Sequence, residues 1–140
     1  MSYDVKIVLE RIPEIFTIVK SAVMEAELHT AQELAQAMRE KITSGSKSGE
    51  VYGGHQASAP GEAPADWHHG LLESIGSVPI SGGGASAFAG GESAPYEAED
   101  LEYGSPGGKI AARPLVTPTA EEFKPIFVAN ISQAVKDAVK

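Results

Sequence analysis

Apolar residues recur at three- and four-residue intervals through the first third of the chain. Ile12, Ile15, Phe16, Val19, Val23 and Ala26 form one stripe, and Leu28, Ala31, Leu34, Ala35, Met38 and Ile42 continue it with a shift of phase. That interval is the helical one. Pro13 suits a first helical position, where its missing N–H has no partner in any case. No Gly or Pro follows until after Lys41, so the pattern predicts a rod of roughly 40 Å at ~1.5 Å per residue. The small residues Ala22, Ala26, Ala31, Ala35 and Ala37 suit close approach of another element. Ahead of the helix, Val5, Ile7 and Leu9 alternate with polar neighbours, which predicts a short strand over residues 3–10.

From Thr43 to Gly70 the pattern stops. Ser and Gly dominate, no period is visible, and the segment reads as a long loop or arm unable to bury a core alone. A loop of that length in a compact domain usually serves function or a neighbour. Leu71 to Ala89 reads as a β-hairpin: Ile75, Val78 and Ile80 precede Ser81-Gly82-Gly83-Gly84, and Ala87 and Phe88 follow it. Pro79 cannot donate to a ladder, so its strand belongs at an edge or a bulge. Pro95 to Tyr103 suits one or two helical turns with Tyr96, Leu101 and Tyr103 facing inward, ended by the glycines of 104–108. Thr119-Ala120-Glu121-Glu122 has capping-box spacing and predicts the start of a last helix. Phe123, Phe127, Ile131, Ala134 or Val135, and Ala138 mark its buried face, and Pro125 falls near enough to its start to be tolerated. Together these elements predict an α+β fold in one domain, residues 1–140. A small, mainly antiparallel sheet packs against a long N-terminal and a C-terminal helix, with extended loops.

Charge changes the picture more than composition does. The chain carries 19 Asp and Glu against 11 Lys and Arg, for a net charge of -8. Nine of the carboxylates fall between residues 43 and 111, where only Lys47 and Lys109 oppose them. Such a middle argues against nucleic-acid binding, which draws its affinity from clustered Lys and Arg on phosphates. With no cysteine there is neither a disulfide framework nor a thiolate metal site. No apolar run approaches the ~20 residues of a membrane span. The first residues lack a basic region followed by an apolar stretch, so a soluble cytosolic product is expected.

Candidate chemistry is sparse. His68 and His69 are adjacent, which on an extended segment points them to opposite faces, and His29 and His55 stand far away; no metal is expected. Gly82-Gly83-Gly84 lacks the Lys-Ser/Thr pair of a phosphate loop, and no Gly-x-Ser-x-Gly elbow exists. Neither a cofactor nor catalysis is expected.

What stands out is a series of phrases. His55-Gln56-Ala57-Ser58-Ala59-Pro60-Gly61-Glu62-Ala63-Pro64 precedes Gly70-Leu71-Leu72-Glu73-Ser74-Ile75. Tyr96-Glu97 and Leu101-Glu102-Tyr103-Gly104-Ser105 follow, then Ala112-Arg113-Pro114-Leu115-Val116-Thr117-Pro118. In this order they resemble the neck, or tail-completion, family of long-tailed bacteriophages, often labelled minor tail component. His69-Gly70 stands where that family usually reads Thr-Gly, and Glu97 where it has a small residue. The resemblance implies a non-enzymatic virion protein of the head–tail connector, assembled in the host cytoplasm. It would form a homo-oligomeric ring, sixfold by analogy with the tail, between head-closure proteins and the tail terminator or tail tube. DNA would pass through without being read. The alternatives are a tail-terminator ring and a small non-virion binding protein. Contacts between subunits or with neighbouring rings are expected at Ala31, Ala35, His55, Pro60, Gly61, Tyr96, Glu102 and Arg113. The acidic run Glu92, Glu97, Glu99, Asp100 and Glu102 would line the channel, pair with Arg113 or Lys109 of a neighbour, or face solvent.

Overall fold

The computed structural model describes residues 2–45, 47–65, 70–90 and 97–140, with residues 2–10 and 97 described by backbone alone. The fold is α+β: a long N-terminal helix packs against a C-terminal helix and is joined to two small antiparallel sheets. The first helix, α1, runs Ser2–Ser44, roughly 64 Å at ~1.5 Å per residue. It absorbs the segment read as a strand. Val5, Val8, Leu9 and Ile12 fit helical spacing as well as alternation fits Val5, Ile7 and Leu9, and among the described residues each strand already pairs within its own hairpin. Pro13 therefore sits inside the helix rather than opening it, removing one backbone hydrogen bond.

The segment after α1 is less featureless than its composition predicts. β1 (Val51–Tyr52) and β2 (His55–Gln56) form a two-residue hairpin, with Val51 opposite Gln56 and Tyr52 opposite His55. Gly53 and Gly54 take φ of 53° and 85° at its turn, the left-handed pair that a two-residue hairpin turn demands. Beyond the strands, Gly49 N–H donates to Ala57 O and Ala57 N–H to Glu50 O, extending the ladder.

The entry to the second hairpin is a single turn of helix, α2 (Gly70–Glu73), not a strand. β3 (Gly76–Pro79) and β4 (Ala85–Phe88) follow as predicted, with the glycines at the tip and Pro79 opposite Ala85 at the end of an edge strand. This hairpin is separate from the first, so the expected single sheet is two. Arg39 Nη2 donates to Ile75 O at 2.7 Å, and Gly84 N–H donates to the Glu27 carboxylate at 2.7 Å. These two bonds tie the base and tip of the hairpin to α1.

α3 (Glu97–Tyr103) is short. Leu101 packs against the core as expected, but Tyr103 is 76% exposed, because the helix ends there at Gly104, whose φ of 83° turns the chain away. Tyr96 lies outside the described residues. α4 (Val116–Ala138) begins three residues before the expected cap. Thr119 is fully buried inside it, and its hydroxyl donates to Leu115 O at 2.6 Å. The capping box is absent: Glu122 instead pairs with Lys41 at 2.8 Å. Pro125 is consequently an interior residue.

α4 runs antiparallel to α1. Lys41 meets Glu122, Asn130 Nδ2 donates to Thr30 Oγ1 at 2.9 Å, and Ala134 and Ala138 share a groove with Ala22 and Ala26. The core sits at one end of this pair: Ala35, Met38, Ile42, Leu71, Ile75 and Leu115. At the other end α1 outruns its partner, and residues 11–18 are all exposed.

Candidate functional site

Three of the phrases singled out in the sequence meet in one place, where the arm after α1, the end of α3 and the start of α4 converge. Glu62 organises the arm. Its carboxylate accepts from Ser48 Oγ at 2.5 Å, Ser48 N–H at 2.9 Å and Ala59 N–H at 2.8 Å. The Ser48 hydroxyl above all, then the two N–H groups, hold this carboxyl below its ordinary pKa. Gly61 N–H donates to Ala112 O at 3.1 Å, joining the arm to the segment before α4.

Arg113 locks the junction through backbone carbonyls. Its Nε donates to Ser58 O at 2.9 Å and its Nη1 to Ala111 O at 2.9 Å, while its N–H donates to Leu101 O. Ser58 is only 2% exposed, so a carbonyl there needs a donor from the protein.

Glu102 supplies the cap that α4 lacks in its own sequence. Its carboxylate accepts from the N–H groups of Leu115 (2.7 Å), Val116 (2.9 Å) and Thr117 (2.7 Å). A helix start leaves such donors unpaired and carries partial positive charge. Burial pushes the Glu102 carboxyl up, but the bonds from Leu115, Thr117 and Val116 outweigh it, and the net shift is downward. Lys47 closes the other helix end. Its Nζ donates to Lys41 O and Gly45 O at the end of α1, and burial lowers its pKa against the opposing pull of Glu62.

The residues expected to make contacts divide in two. Ala35 is 1% exposed in the core, and Ala31, 7% exposed, faces the space between α4 and β4, so both are covered within the subunit. Glu102 and Arg113 likewise hold the chain's own backbone. Pro60 and Gly61 are exposed on the arm, and His55 lies half-buried on β2. Of the acidic run, Glu99 is exposed, Asp100 is half-buried and Glu102 caps α4; Glu92 and the Glu97 side chain lie outside the described residues.

A concave apolar surface was not foreseen. α1, β4 and α4 enclose a cleft of about 360 Å³ lined by Ala31, Leu34, Ala85, Ala87, Phe123 and Phe127, with Glu27 and Lys124 at its rim. Phe123 and Phe127 carried a sequence signal as a buried face, but α1 covers them only in part, and Phe127 is 43% exposed. Nothing in the local sequence marks Glu27. Among the described residues no group of three or more His, Cys, Asp or Glu is placed to hold a metal ion, and no helix is long and apolar enough to cross a membrane. His29 meets Glu33 at 3.1 Å one helical turn away. Comparison with family models, curated proteins and solved structures finds no match to this chain.

Proposed function

We propose that this chain is a structural subunit of a bacteriophage head–tail connector, forming a ring that joins the head to the tail and lets DNA pass. The observation that carries this reading is the junction itself. The Ser58–Glu62, Leu101–Gly104 and Ala112–Pro118 phrases bear the resemblance to neck proteins, and each holds another through backbone-directed hydrogen bonds. Phrases that fold together are what a shared architecture leaves in a sequence, whereas chance turn-formers scattered along a chain have no reason to meet.

Two further features support it. A half-helix with Ile12, Ile15, Phe16 and Ile18 at 41–70% exposure is unusual for an isolated subunit and suits one that assembles. The acidic balance of the chain suits a wall that DNA passes without being held. Mass spectrometry of gradient-purified virions from a phage encoding the chain tests the reading. It predicts the chain in intact particles, in several copies for each portal-bearing vertex. A chain found only in the lysate's soluble fraction overturns it.

A further inference from the structure

We propose that the exposed stretch of α1 at residues 11–18 docks, through Ile12 and Phe16, into the cleft between α1, β4 and α4 of a second copy of this chain. The inference deepens the ring reading and rests on it: the contact is head-to-tail, and repetition around an axis closes it.

At ~100° per residue, Ile12, Phe16, Val19, Val23, Thr30 and Leu34 fall within an arc of about 60° on α1. Farther along α1 the stripe is met by α4 at Thr30, which accepts from Asn130, and it lines the cleft at Leu34. Toward the start of α1 the same stripe runs on with Ile12 50% and Phe16 70% exposed among the described residues. The exposed segment therefore continues the stripe that lines the cleft wall in the subunit itself.

The stripe at 12–16 and the cleft wall at 27–34 lie on one helix, separated by roughly 25 Å of rod at ~1.5 Å per residue. A chain cannot fold its own stripe into its own cleft. The two surfaces also differ, one convex and one concave, so the contact they make between copies is heterologous and leaves a free partner at each end until a ring closes. The cleft is apolar and, at about 360 Å³, roomy enough for two large side chains one turn apart.

Arg11 and Lys20 flank the stripe on its two sides, while Glu14 lies on the opposite face of the helix. At the cleft rim, Lys124 is already paired with Glu121 at 2.8 Å. Glu27 accepts the Gly84 N–H and meets no Lys or Arg among the described residues. An incoming apolar stripe with basic edges fits that rim.

The chain has no cysteine, so disulfide trapping in the purified protein reads the contact directly. Ile15 is exposed beside the stripe and Ala85 is half-buried at the cleft, so neither Ile15→Cys nor Ala85→Cys removes core packing or the two docking side chains. Within one chain the two sites are too far apart to bridge. Under mild oxidation at high protein concentration, the double variant is expected to give a ladder of linked chains ending in one closed species. A mixture of the two single variants should give linked dimers and nothing larger, and each single variant alone should give none. Failure of the double variant to link overturns the proposal, whether the protein is monomeric or forms multimers by light scattering. Linked dimers from Ile15→Cys alone also overturn it, since the stripe then pairs with itself. Multimers that form without this link leave the connector reading standing on its own test.

Discussion

Glu102 shows how a single carboxylate is assigned by its surroundings. In the sequence it belongs to an acidic run with an expected role between subunits; in the fold it accepts three N–H bonds at the start of α4. Glu102→Ala is expected to lower stability by about 1–2 kcal/mol, the range for losing a helix cap, read from denaturant melts. The pH dependence has a definite sign. The folded pKa of Glu102 lies below the ordinary carboxylate value of 4.5, so its contribution is present above that value and is lost as pH falls through the folded pKa. Wild type should therefore lose stability below about pH 4.5, and Glu102→Gln should lose less over the same window. Arg113→Ala strands the buried Ser58 carbonyl and is expected to cost about 1–3 kcal/mol. Ala35→Arg puts a charge into a site that is 1% exposed. It should unfold the subunit, by circular dichroism, rather than leave a helical monomer with a weakened ring.

At the scale of elements, what was legible followed the length of the signal. The long period-3.6 run through Ile42 predicts α1, and Ser81-Gly82-Gly83-Gly84 between apolar flanks predicts the β3–β4 hairpin; both are present. The start of α1 was not legible, because five residues alternating around Val5, Ile7 and Leu9 satisfy strand and helix alike. The start of α4 was misplaced for a different reason. Its cap comes from Glu102, thirteen residues or more away in sequence, and Thr119 is drawn inside by burial. The arm at 47–65 shows the same effect. Its composition predicts no structure of its own, yet Glu62 and the β1–β2 hairpin fold it on itself, and Arg113 and Ala112 tie it to the body. Glu62→Ala should accordingly make the arm the first site of cleavage in limited proteolysis, at a markedly higher rate than in wild type. Equal rates would mean that the Glu62 bonds do not hold the arm in solution.

Seen whole, the molecule is a two-helix lever with its core at one end. The hairpins, the arm and the short helices gather around Met38, Ile42 and Leu71, and α1 leaves that cluster to run past the end of α4. The candidate contact residues chosen from sequence were those with conspicuous neighbours in the phrases, and the fold uses Ala31, Ala35, Glu102 and Arg113 within the subunit. Among the described residues, α1 around Phe16 and the cleft around Phe127 are two exposed apolar surfaces, one convex and one concave. That pair could not be read from a one-dimensional pattern, because the cleft exists only where three elements from distant parts of the chain come together. A subunit with two unlike apolar surfaces, an acidic balance and a self-locking junction of phrases fits a repeating part of a larger assembly. Electron microscopy of particles assembled by a phage genome lacking this chain tests that claim most directly. The connector account predicts DNA-filled heads and finished tails of normal length lying apart; complete, joined virions would contradict it.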